Sequence, residues 1–183
     1  MASPVQRRVA FIRAIGGPTH ATMPLADLCK VCMQSGLQDV TSVIATGNLL
    51  FSSTKSEASC RAVVVKAIAS FGLELDVFIR HAGDTEKVLN RNPFADAAEL
   101  RPNHLIAFMV DADLSVDAAR QLELHAGPER IRCFPRLIYI DYVAGVGASK
   151  IMPGVIERRL KLKGTARNWN TMRKVHGLLS QTS

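Results

Sequence analysis

Seven short apolar runs with a two-residue period, each bounded by turn residues, constrain this chain most: RVAFIRAI (8–15), VTSVIA (40–45), NLLFSS (48–53), LDVFIRH (75–81), HLIAFMV (104–110), RIRCF (130–134) and LIYIDYV (137–143). Alternation of this kind puts every second side chain on one face, so each run predicts a strand. Helical patterns lie between them. A first helix is expected from Pro24 to Ser35, closed by Gly36. A second carries Cys60, Val63, Val64, Ala67, Ile68 and Phe71 at three- and four-residue spacing, with Thr54 and Glu57 read as its capping box and Gly72 as its stop. Further helices are expected at 116–125 behind Ser115 or Asp113, at 150–162 and at 168–179, with GDTEKVLN (83–90) as a connector helix closed before Asn92-Pro93.

In order, residues 8–81 read strand, helix, strand, strand, helix, strand, which is the split β-α-β arrangement of a ferredoxin-like fold. From residue 104 the order strand, helix, strand, strand, helix returns. The expected class is α+β with two ferredoxin-like halves: 1–82, a connector over 83–103, and 104–183 with basic C-terminal helices. Val9 and Phe11 alternate with Ala10 and Ile12, and the run at 104–110 is apolar on both faces too, so the second sheet face is expected to be covered by the other half or a second subunit.

Composition narrows the class. With 48% apolar residues over 183 positions the chain can bury a core, and no apolar run reaches membrane-spanning length, so a cytoplasmic protein without a membrane partner is expected. Cys29, Cys32, Cys60 and Cys133 follow no disulfide framework and read as free thiols. CKVC (29–32) falls mid-helix, whereas a redox pair needs a helix start and zinc needs two further ligands. His20, His81, His104, His125 and His176 show no metal-ligand spacing, so neither a metal nor a cofactor is expected.

Three stretches carry polar chemistry. In IATGNLLF (44–51), Thr46 and Asn48 flank Gly47 between two strands; a hairpin turn explains them, with function as the weaker reading. DYVAGVGASK (141–150) ends a strand in Gly145 and Gly147 and enters a helix led by Ser149 and Lys150, where amides and a lysine suit a phosphate or carboxylate. It lacks the spacing of a P-loop, and a capped turn explains it equally well. From Lys150 to Lys174, eight lysines and arginines face one acid, Glu157. In GTARNWNTMRKV (164–175), Trp169, Met172, Val175 and Leu179 form a packing stripe, Asn168 or Asn170 caps a helix, and Arg167 with the remaining asparagine is left for a ligand.

With these stretches in view, the chain resembles the bacterial domain of unknown function 1697 family. FIRAI (11–15), IATGNLLF (44–51), NPF (92–94), GVGASK (145–150) and TARNWNT (165–171) match its usual Arg-Gly-Ile-Asn, Ile-Gln-Ser-Gly-Asn-Val, Asn-Pro-Phe, Gly-x-Gly-x-Ser-Lys and Thr-x-Arg-Asn-Trp-Asn-Thr motifs. The chain departs from the pattern in IGGPTHATMP (15–24) and just before it: Ala14 stands for the usual glycine, Gly16 for asparagine and Pro18-Thr19 for paired glycines. The resemblance implies two ferredoxin-like halves and no known activity. It groups Arg13, Thr46, Asn48, Ser149, Lys150, Arg167, Asn168 and Asn170, which are expected to converge on one cleft between the halves.

Three classes of function follow. A non-catalytic binder of an anionic ligand, nucleic acid or a phosphate-bearing molecule, agrees with the net charge of +7 and the basic C-terminal region. An enzyme acting on a small phosphorylated or carboxylated metabolite would use the same cations, but the motif positions offer no carboxylate or histidine as a general base. An interaction module whose motifs only hold the fold is the third. The first is the expectation; oligomeric state is left open.

Overall fold

The first strand, β1 (Gln6–Ile12), has its last five residues buried in succession, on both faces, in this computed structural model, which describes residues 4–181. The chain continues through α1 (Gly17–Thr22), α2 (Leu25–Gln34), β2 (Gln38–Ser42), β3 (Asn48–Ser53), α3 (Glu57–Ala69), β4 (Val77–His81), α4 (Ala82–Asn90) and α5 (Ala95–Leu100). It then passes through β5 (Leu105–Val110), α6 (Val116–Glu123), β6 (Arg130–Phe134), β7 (Leu137–Asp141), a 3₁₀ turn at Val146–Ala148, α7 (Pro153–Leu160), β8 (Gly164–Asn168) and α8 (Trp169–Leu179). It divides into two units, one running to Glu86 and resuming at Val175, the other Lys87–Lys174.

In the first unit the sheet order is β2-β3-β1-β4, all antiparallel, and in the second it is β6-β7-β5-β8. Each is the ferredoxin-like order, with the first strand of the unit central beside the third and fourth. In the first, Ala10, Ile12, Leu49, Phe51 and Ile79 pack against Leu28 and Cys32 of α2 and Cys60, Val64 and Ile68 of α3. In the second, Phe108, Val110, Ile131, Ile138 and Ile140 pack against Leu122 of α6 and Ile156 of α7. Each valine, leucine, isoleucine or phenylalanine among them, when fully buried, contributes about 1.5–3 kcal/mol. The opposite faces are buried as well: Val9, Phe11 and Leu50 in one sheet, and Leu105, Ala107 and Tyr139 in the other, are at most 2% exposed.

Most expected elements are present, and the differences have local causes. Ser56, not Thr54, caps α3, because its hydroxyl is the one that reaches the Ser59 amide, at 3.1 Å. Ser115 caps α6 through the Ala118 amide at 3.2 Å. The helix expected from Lys150 starts at Pro153, since the chain first makes the 3₁₀ turn and the Ser149 hydroxyl is taken by the Ile151 amide at 3.0 Å. The largest difference is β8, which completes the second sheet where a loop was expected. It pairs with β5 from Ile106↔Asn168 to Val110↔Gly164. Gly164 makes this approach feasible: a Cβ there would lie 2.5 Å from a Phe108 ring carbon and 2.7 Å from the Met109 carbonyl.

Candidate functional site

At one end of the first sheet, the Ile12 amide at the close of β1 donates to the Gly47 carbonyl at 2.8 Å, so the β2–β3 hairpin is tied to the strand beside it. Gly47 has φ +76°, and a Cβ there would meet Ile15 at 2.5 Å, so the turn needs glycine for both conformation and space. Asn48 is fully buried, and its amide donates to the Val43 carbonyl at 2.8 Å and the Thr46 hydroxyl at 3.1 Å. Arg13, half-buried at the end of β1, sits 3.4 Å from the Asp76 carboxylate, while its amide donates to the Asp76 carbonyl at 3.0 Å. Arg13, Thr46 and Asn48 thus gather at one sheet end.

The departures from the family pattern adjoin this end. Ala14 takes φ +56°, in the left-handed region that glycine adopts without cost, at the position where the family usually has glycine. The Thr19 hydroxyl donates to the Ala14 carbonyl at 2.9 Å, and His20 Nε2 hydrogen-bonds the Ala45 carbonyl at 2.7 Å, fastening α1 to the hairpin. Ile44, beside that contact, also has a positive φ, +59°, unusual for a β-branched residue.

In the second unit, Arg167, Asn168 and Asn170 follow one another across the β8–α8 junction. Arg167 is 9% exposed; its guanidinium donates to the Thr165 hydroxyl at 3.0 Å and the Ala166 carbonyl at 2.8 Å, and burial pushes its pKa down to about 10. Asn168 caps α8, its Oδ1 accepting from the Thr171 amide at 2.9 Å, as the sequence led one to expect. Asn170 is exposed and donates to Asn103 Oδ1 at 2.9 Å. Trp169 is 6% exposed, a packing residue.

Ser149 and Lys150 lie on a different segment, the β7–α7 connection. The adjacent Ser149 hydroxyl and His125, at 3.3 Å, hold the Glu129 carboxyl below its ordinary value against its burial. Gly145 opens this loop at φ +90°, and the Ser149 hydroxyl closes it on the Ile151 amide. Lys150 itself is exposed.

One cluster had no signal in sequence spacing. Asp141, fully buried at the end of β7, accepts from Arg101 at 2.8 and 2.6 Å and from Arg130 at 2.8 Å. Arg130 continues to Asp96 at 2.7 Å and lies 4.8 Å from the centre of the Phe94 ring. Burial alone would raise the Asp141 pKa, but the two guanidiniums outweigh it and hold it below the usual carboxylate range. Asn92 Oδ1 accepts from the Phe94 amide at 3.0 Å, so the Asn-Pro-Phe motif builds the turn that presents Phe94 and α5 to this network.

Cys29 and Cys32 are buried in α2; burial raises both thiols, Cys32 to about 12, which leaves no ready thiolate. Among the described residues no group of three histidine, cysteine or acidic side chains is placed to hold a metal, and no helix is long and apolar enough to cross a membrane. An open cavity of about 440 Å³ in the first unit, lined by Gln6, Arg7, His81, Ala82, Gly83 and Leu179, includes none of the motif residues.

No curated protein matches the chain. Among solved structures, the conserved bacterial protein SP0830 from Streptococcus pneumoniae is similar over 97% of this chain and 100% of its own, at 21% identity and a TM-score of 0.73, a likeness of fold. A family model described as "Protein of unknown function (DUF1697)" matches residues 5–139, stopping short of the Gly145–Lys150 and Thr165–Thr171 motifs. On that match, which takes in the Arg13, Thr46–Asn48 and Asn92–Phe94 motifs, the chain belongs to the domain of unknown function 1697 family.

Proposed function

We propose that this protein is a non-catalytic binder of an anionic, phosphate-bearing ligand, and that residues 150–174 are the part of the chain that meets it. The location of the charge carries this reading. Eight of the 23 lysines and arginines and only one of the 16 acids fall in that stretch, so the remainder, with fifteen of each, is neutral. A charge present only for solubility would be spread over the surface; here the whole excess of +7 belongs to one segment.

Chemistry supports holding over transforming. Asn48, Ser149 and Asn168 hydrogen-bond backbone amides or carbonyls, and the exposed charged group among the motif positions is the Lys150 ammonium. The motif positions offer cations, amides and hydroxyls but no carboxylate or histidine, a set that suits holding a phosphate more than cleaving its bonds.

A thermal-shift series tests the reading. Inorganic polyphosphate and nucleoside triphosphates at low salt are expected to raise the melting midpoint, by about 2.7 kcal/mol of added stability at a hundredfold excess over Kd. Lys150→Ala is expected to reduce that gain. No shift with any polyanion at low salt would refute the proposal.

A further inference from the structure

We infer that the anionic partner is duplex nucleic acid, DNA or RNA, gripped by its phosphate backbone along Arg158, Arg159, Lys161, Lys163, Arg173 and Lys174; this rests on the anion-binding reading above. All six side chains are exposed. The one acid in this stretch of sequence, Glu157, accepts at Oε1 from the Gly164 amide at 2.8 Å. The segment carrying the lysines is also held in place. The Lys163 amide donates to Asp111 Oδ1 at 3.0 Å and its carbonyl accepts from the Asp111 amide at 2.8 Å, while Lys161 ends α7 in the left-handed conformation at φ +55°. Arg158 and Arg159 stand in the last turn of α7, where cations offset the helix dipole. That role does not extend to Lys161 and Lys163 beyond the helix, nor to Arg173 and Lys174 on α8.

The surroundings select among polyanions. Single strands are held largely by bases stacked on aromatic rings. The only aromatic residue of the stretch, Trp169, is 6% exposed and packed away, so no stacking platform accompanies the charge. A membrane surface takes an amphipathic helix by its apolar face; Ile156 of α7 and Met172 of α8 are fully buried, so those faces are already used. A protein partner is met through an apolar, aromatic centre inside a polar rim, and the one aromatic residue in this stretch of sequence, Trp169, is buried. What is left is a target that shows phosphates in a regular array and keeps its bases stacked on one another, which is a duplex.

Six phosphate contacts release counterions with a slope of about −0.9 each, so log affinity is expected to fall with log salt at a slope near −5, roughly a thousandfold between 50 and 200 mM. Fluorescence anisotropy on random-sequence DNA and RNA duplexes of about twenty base pairs, their component single strands and inorganic polyphosphate measures this. The expected result is tighter binding of duplex than of either single strand. Lys161→Glu/Lys163→Glu and Arg173→Glu/Lys174→Glu are each expected to lose at least about tenfold and to flatten the slope by about two. Lys66→Glu, an exposed change on α3, is the control for net charge, and circular dichroism confirms that each variant is folded. Either duplex, DNA or RNA, as the tighter ligand supports the inference. Preference for single strands overturns it, as do the two double variants binding duplex like the parent. Polyphosphate bound with duplexes ignored overturns this inference and leaves the anion-binding reading standing; no polyanion bound overturns both.

Discussion

Replacing Asp141 by asparagine isolates the network that joins it to Arg101, Arg130 and Asp96. The carboxylate is fully buried and takes three hydrogen bonds from Arg101 and Arg130 between 2.6 and 2.8 Å. Removing one partner of a buried ion pair costs about 3–5 kcal/mol, because the remaining charge loses its counter-ion while staying desolvated. The lower end applies here: the Arg101 and Arg130 side chains are 23% and 41% exposed, and both still reach Asp96, at 3.1 and 2.7 Å. About 3 kcal/mol corresponds to a fall of roughly 6–12 °C in the midpoint of a chain this size. The pH dependence gives an independent check. The folded carboxyl is held below its unfolded value, so its contribution is fully present above about pH 4 and is lost as pH falls through the folded value. The gap between parent and Asp141→Asn should therefore be widest near neutrality and should close in acid. Calorimetry from neutral pH down to about pH 3 measures both. A neutral-pH difference under about 1 kcal/mol, or a gap that stays constant into acid, would refute the account of Asp141 as a net stabilising centre.

Three further substitutions follow from backbone and packing. Ala14→Gly, which restores the family's usual residue where φ is +56°, is expected to stabilise by about 1 kcal/mol, read as a rise in melting midpoint; a loss would mean that the left-handed conformation is not what this position demands. Asn168→Ala removes the α8 cap and is expected to cost about 1 kcal/mol in chemical denaturation, with Asn168→Ser recovering most of it. Gly164→Ala forces a methyl against the Phe108 ring and the Met109 carbonyl and is expected to cost about 1–3 kcal/mol; a neutral result would show that β8 shifts freely on β5.

Legibility in the sequence followed the range of the forces involved. NLLFSS and RIRCF are strands over the residues the sequence marked, because a short apolar run bounded by turn residues is a local signal. β8 was not legible: GTARN has one threonine, no aliphatic side chain larger than alanine, and a glycine whose purpose is set by Phe108, 56 positions earlier. The helices α1 and α5, six residues each, are too short for a periodic stripe. Of the candidate site, the Gly47 turn and the Asn168 cap were legible as local backbone chemistry. The Asp141 network was not, since its partners lie 11 and 40 positions away; its one trace was an aspartate closing the apolar run LIYID.

This separates two things that a motif combines. Asn48 fixes a hairpin, Ser149 ties the end of the glycine loop to the Ile151 amide, Asn92 fixes the turn before α5, and Asn168 caps α8. These four side chains hydrogen-bond backbone groups close to them in sequence, so they specify how the two ferredoxin-like units are built locally. The exposed cations that set the net charge stand mostly outside them, at Arg158, Arg159, Lys161, Lys163, Arg173 and Lys174. Motif substitutions should accordingly register first as stability, and substitutions in the basic stretch first as salt-dependent affinity. A motif variant such as Asn92→Ala that abolished polyanion binding with an unchanged melting midpoint would break that division, because Asn92 makes its hydrogen bonds to the Phe94 backbone and has no cationic group with which to hold a phosphate.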